Sequence, residues 1–179
     1  MAYVITTPSI GAPPIASTNL AGTTLSAAGR FPGAQLGSIV EAVDPTYGNG
    51  EFIYLLGVAS TVVGSVVTWD GASSGTPTYQ TALAPSTANL AQPLAVAMSA
   101  NLAGYYGWYQ ITGHAVVATN GTLAAGPGPV YLAGSGQVTS TQANGKQVLN
   151  ARNDTATGTP AANQAVVSIN HPFAQGQIV

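Results

Sequence analysis

Residues 50–71, GEFIYLLGVASTVVGSVVTWDG, decide the fold class of this chain. Eighteen residues without a formal charge separate Glu51 from Asp70, a length that fits a membrane-spanning helix. The composition of the run argues against one. Gly57 and Gly64 interrupt it, its centre is small and β-branched, and Phe52, Ile53, Tyr54, Val66, Val67, Thr68 and Trp69 favour strands. No Lys or Arg cluster flanks it to set an orientation. It reads as two buried strands, EFIYLLGVA and GSVVTWD, with turn-forming residues between them and Asp70-Gly71 as a stop.

The same grammar extends through the chain. Strands are expected at 35–43, 51–59, 65–70, 76–83, 93–100, 106–113, 114–119, 129–134, 147–152 and 164–170. Between them lie Asp44-Pro45, Gly48-Asn49-Gly50, Asn120-Gly121, Gly126-Pro127-Gly128-Pro129, Gly134-Ser135-Gly136 and Asn144-Gly145. One short helix is expected in STANLAQP, 86–93, capped by Ser86 or Thr87. The aromatic–glycine–apolar order of residues 52–69 is echoed in 108–132, as two related hairpin units would produce. Short strands at this spacing predict an all-β domain over 31–179, a compact β-barrel or β-sandwich. Residues 1–30, with Pro8, Pro13 and Pro14, predict an extended N-terminal arm along the chain's own surface or a neighbour's. The first residues, MAYVITTPSIGAPP, lack the positive n-region of a signal peptide.

Charge is the anomaly. Charged residues make up 4% of the 179, against roughly 25% in an ordinary domain. The positives are Arg30, Lys146 and Arg152, and the negatives are Glu41, Asp44, Glu51, Asp70 and Asp154. A net charge of −2 without a basic stripe argues against nucleic acid and against an anionic membrane surface. The absence of cysteine removes disulfides, thiolate nucleophiles and Cys-based zinc sites.

Catalytic chemistry finds little purchase. His114 and His171 stand in no H-x-x-x-H, D-x-D or G-x-S-x-G pattern, so neither a metal site nor a triad is expected. The five acids read as solvated loop or strand-end groups rather than a glycosidase pair. GPGPVYLAGSGQ lacks the helix and Lys of a phosphate loop. No cofactor is expected. Aromatic residues concentrate in YYGWY, 105–109, where alternation separates Tyr106, Trp108 and Gln110 from Gly107, Tyr109 and Ile111. One face is expected to pack in the core. The other is expected to meet solvent or a partner subunit or, as a rival, to stack on sugars with Trp69.

LGSIVEAVDPTYGNGEFIYLLGVASTVVGSVVTWDG, PLAVAMSANLAGYYGWYQITGHAVVA and QVLNARNDTATGTPAANQAVVSINHPFAQG together resemble a group of small tailed-bacteriophage structural proteins. The resemblance covers roughly residues 31–176 and carries no catalytic motif. It implies a capsid decoration, or cement, protein: a compact β-barrel, β-tulip-like or jelly-roll-like domain on the outer surface of a mature head. It further implies a homotrimer at three-fold or quasi-three-fold positions, bound to the major capsid protein and made in the host bacterial cytoplasm. Tyr3, Ile5 and Ile10 of the arm, with Tyr106 and Trp108, are the expected interface residues. Deleting residues 1–30 is expected to weaken trimerisation or attachment while leaving the domain folded. A tail, head-fibre or adaptor component, or a carbohydrate- or receptor-binding module, are the alternatives.

Overall fold

A computed structural model describes residues 1–7, 11–18, 33–69 and 78–177. Among them the chain forms strands and no helix. The strands are β1 (Val4–Ile5), β2 (Ile39–Asp44), β3 (Gly48–Leu56), β4 (Val66–Trp69), β5 (Thr81–Leu83) and β6 (Leu94–Ala97). They continue with β7 (Tyr106–Gln110), β8 (Thr112–Ala118), β9 (Tyr131–Gly134), β10 (Gln137–Thr139), β11 (Val148–Asn153) and β12 (Gln164–Ala174). A seven-stranded antiparallel sheet runs in the order β1-β2-β3-β7-β6-β4-β5. A three-stranded sheet, β11-β12-β8, and the hairpin β10-β9 complete the described strands.

The opening stretch supplies β3 and β4, which lie in the same sheet with β7 and β6 between them. Register pairs Phe52 with Gln110 and Tyr54 with Trp108, so these four side chains share one face. Ile53 and Tyr109 are paired on the other face. Both faces are covered: Phe52, Ile53, Tyr54 and Leu55 are all buried. A strand buried on both faces reads as a continuous apolar run, which explains the long stretch without charge.

Three clusters do the covering. Val66, Leu94 and Val96 of the large sheet pack against Ala115, Val117, Ala165, Val167 and Ile169 of the three-stranded sheet, with Leu132 and Val138 from the β9–β10 hairpin. Beside them on the same face, Phe52, Tyr54 and Trp108 pack under Ile15, Tyr3 and Ile5. On the opposite face Ile53, Leu55, Val67, Ala95, Ala97 and Tyr109 pack together, flanked by Trp69, Tyr79 and Leu83. That second face is covered because the sheet curls. A bridge joins Leu56 to Gln80, and Thr81 Oγ1 donates to the Leu56 carbonyl at 2.9 Å. The bridge is a single contact rather than a ladder, and among the described residues no closed barrel forms.

Two glycines make the join between sheets. Gly64, at φ 87°, donates to the Ala97 carbonyl of β6 and accepts from the Ala118 amide of β8, both at 2.8 Å. Gly113, at φ 94°, lies in the first residues of β8, where a Cβ would stand 2.3 Å from the Asn49 carbonyl oxygen. The expected strand break near 113–114 falls instead at Ile111, whose amide donates to the Glu51 carbonyl at 2.8 Å.

Other expectations are revised. No helix forms at 86–93, where Asn89 and Ala91 have φ of 57° and 51°, a left-handed conformation that a helix does not admit. The echo between 52–69 and 108–132 is not a pair of hairpins, since β3 and β4 do not pair and β8 joins a different sheet from β7. The strands β1 and β10, of two and three residues, are too short for the sequence pattern to mark. The described N-terminal residues lie on their own chain: β1 pairs with β2, and Ile15 is 1% exposed. Ile10, all of 19–30, and Asp70 lie outside the described residues.

Candidate functional site

Of the expected interface residues, Trp108 is interior, while Tyr3, Ile5 and Tyr106 are half-buried. Trp108 is wholly buried and its indole Nε1 donates to the Pro13 carbonyl at 2.9 Å, so it presents no surface to a partner. Tyr106 is half-buried and stacks on Tyr54, with ring centroids 6.0 Å apart. Tyr3 meets Phe52 edge-on at 4.8 Å, and Ile5 packs against the same cluster. Burial pushes the Tyr3 phenol up to about 12, opposed by its bond with Gln110 and reinforced by Asp44. These aromatics pack into one cluster, and Trp108, wholly buried, is not available to the rival sugar platform.

Exposed apolar side chains lie elsewhere. Val4 and Val43 are directly paired across β1 and β2, and both are exposed, at 65% and 37%. Ile39, on the same face of β2 as Val43, is 50% exposed. Val62 and Val63 project from the loop before β4, and exposed Leu149 pairs with exposed Phe173.

Polar chemistry gathers on the outer face of the three-stranded sheet. Cross-strand register places His114 opposite Ser168 and Ser168 opposite Arg152. Ser168 Oγ donates to Asp154 Oδ2 at 2.6 Å, and His114 Nδ1 lies 2.9 Å from the same oxygen. Arg152 Nε stands 3.5 Å from Asp154 Oδ1. Sequence patterns gave no sign of this group because its members come from three strands and the loop after β11. It is not a hydrolase relay. A serine nucleophile and its carboxylate must sit on different imidazole nitrogens, whereas Ser168 and Asp154 both face Nδ1. Among the described residues no group of three or more His, Asp or Glu is placed to hold a metal.

Two depressions flank this face. One, of ≈390 Å³, is lined by Asn150, Arg152, Ser168 and Asn170, with Ala151 and Ile169. The other, of ≈400 Å³, includes Thr6, Glu41, Glu51 and Thr112, and Asn170 again. They adjoin at Asn170. Glu41 and Glu51 are directly opposed on β2 and β3, and His171 Nε2 stands 3.6 Å from Glu51 Oε2. Asn150 and His171 hold φ of 58° and 48°, and pairing shifts register between Leu149 and Ala151. Ser168 and Asn170 alternate with Val167 and Ile169 in the sequence, so their outward direction was legible; their neighbours were not.

Asp44 anchors the N-terminal strand. Its carboxylate accepts the amides of Thr46, at 2.8 Å, and Tyr47, at 3.1 Å, through one oxygen and that of Ala2 through the other. Burial alone would raise its pKa, but the backbone donors outweigh it and hold the group below the usual aspartate value.

Among the described residues no helix is long and apolar enough to cross a membrane. Comparison with protein-family models, curated proteins and solved structures finds no match to this chain.

Proposed function

We propose that this protein is a non-catalytic structural component of a tailed-bacteriophage virion, a decoration or cement protein on the outer surface of the head. The resemblance of residues 31–176 motivates the reading, and the curled, doubly packed sheet is compatible with the barrel-, tulip- or jelly-roll-like domain it implies. The observation that carries it furthest is the open end of the large sheet, where Val4, Ile39 and Val43 are exposed on one face with Glu41 as the charged group among them. Such a surface suits contact with the major capsid protein or with other copies in a homotrimer, driven by apolar burial rather than ion pairing. A protein that binds assembled capsid and not its separated subunits adds its binding energy to shell stability.

The copy number in purified virions, measured against the major capsid protein, tests this reading. A ratio approaching one per capsid subunit is expected. A handful of copies would move the protein to the tail, a head fibre or an adaptor, and complete absence would overturn the virion assignment.

A further inference from the structure

We infer that the furrow formed by the two depressions meeting at Asn170 binds a neutral oligosaccharide. This does not rest on the virion reading. In a chain with 4% charged residues, the furrow concentrates side chains that both donate and accept hydrogen bonds. Asn150, Ser168 and Asn170 line one half, and Thr6 and Thr112 line the other beside the acceptor-only carboxylates of Glu41 and Glu51. Amides and hydroxyls offer donor and acceptor at one position, the match for a ligand whose successive hydroxyls do the same.

The charges argue against an anion. Arg152 is already engaged by Asp154, and the second depression presents Glu41 and Glu51. A purely apolar ligand is disfavoured by the same lining. Both volumes, ≈390 and ≈400 Å³, lie within the roughly 300–1,000 Å³ of small-ligand sites.

The furrow is also built rather than incidental. Its walls are strands, which position side chains better than loops do. Asn150 and His171 both adopt left-handed backbone, at φ 58° and 48°, and Asn150 Nδ2 donates to the His171 carbonyl at 3.5 Å. Irregularities of this kind re-aim side chains at the cost of local strain. Here they accompany the register shift in β11 that sets Arg152 opposite Ser168.

The test is a glycan array probed with the full chain, followed by titration of the best neutral oligosaccharide into the wild type, Asn170→Ala and Ser168→Ala. Thermal unfolding of each variant checks that the fold persists. A neutral oligosaccharide bound by the wild type and at least tenfold more weakly by Asn170→Ala, with an unfolding midpoint close to wild type, is the expected result. If Asn170→Ala fails to fold, the same loss in a folded Ser168→Ala decides. Binding unchanged in a folded variant would overturn the furrow as the site. Capture of acidic glycans alone, or of no glycan, would overturn the ligand class.

Discussion

The indole Nε1–H of Trp108 donates to the carbonyl oxygen of Pro13 at 2.9 Å, joining the middle of β7 to a segment 95 residues earlier. Ile15 beside it is 1% exposed, and Tyr3 lies edge-on to Phe52. The N-terminal residues thus cover the part of one sheet face formed by Phe52, Tyr54 and Trp108.

Removing residues 1–18 should therefore destabilise the domain itself, in contrast to the expectation that the domain stays folded without its arm. Burial of Ile15 alone is worth about 1.5–3 kcal/mol, and truncation would also expose Phe52, Tyr54 and Trp108. Trp108→Phe, which keeps most of the ring but removes the donor, should cost about 1–3 kcal/mol. Urea unfolding with constant slope measures both; an unchanged midpoint in the truncated chain would refute the packing role.

Asp44 should make stability fall with acid. Its folded pKa lies below the unfolded value of about 3.9, because backbone amides favour the carboxylate. The ion's contribution is complete above the unfolded value and is lost as pH falls through the folded one. Unfolding midpoints should thus be flat from about pH 7 to 5 where Asp44 is concerned, and decline below about pH 4. Asp44→Ala should lower stability at neutral pH by about 1–3 kcal/mol and flatten the acid decline. An equally steep decline in the variant would assign that decline to other groups.

Gly113 and Gly158 separate two costs of adding a Cβ. Both have positive φ, 94° and 105°, but only at Gly113 would the new atom meet a neighbour, the Asn49 carbonyl oxygen at 2.3 Å. Gly158→Ala should show conformational strain alone, about 1–3 kcal/mol. Gly113→Ala should lose clearly more, since the start of β8 must shift away from the Asn49 backbone. Equal losses, measured by chemical denaturation, would show that the start of β8 is free to relax.

On the proposed head surface, attachment should persist when salt rises by a few tenths molar, because an apolar contact has little Coulomb attraction to screen. Val4→Asp should reduce occupancy on purified heads while leaving the unfolding midpoint within about 0.5 kcal/mol of wild type, as expected for an exposed position. Heads stripped by salt alone would contradict the apolar contact.

Much of the sheet was legible before the structure. Strand-forming residues placed β3, β4, β7, β8, β11 and β12 to within a few residues, and Gly134-Ser135-Gly136 turned β9 into β10 as its composition required. YGWYQ shows where legibility stopped. Alternation separated Trp108 from Tyr109, but nothing local revealed that both faces would be covered, one by Pro13 and Ile15 and the other by the curl of the sheet. The furrow stopped short in the same way: Ser168 and Asn170 were visibly outward, while His114, Arg152 and Asp154 reached them through strand pairing.

From its residues alone, this chain's β class, its turns and its poverty of charge were determined, because backbone preference and alternation act over a few neighbours. The burial of Trp108, the anchoring of the N-terminal strand by Asp44 and the meeting of polar side chains around Asn170 were decided only by tertiary structure. Those contacts join residues tens of positions apart, and strand order, register and curl set them, none of which a local pattern encodes.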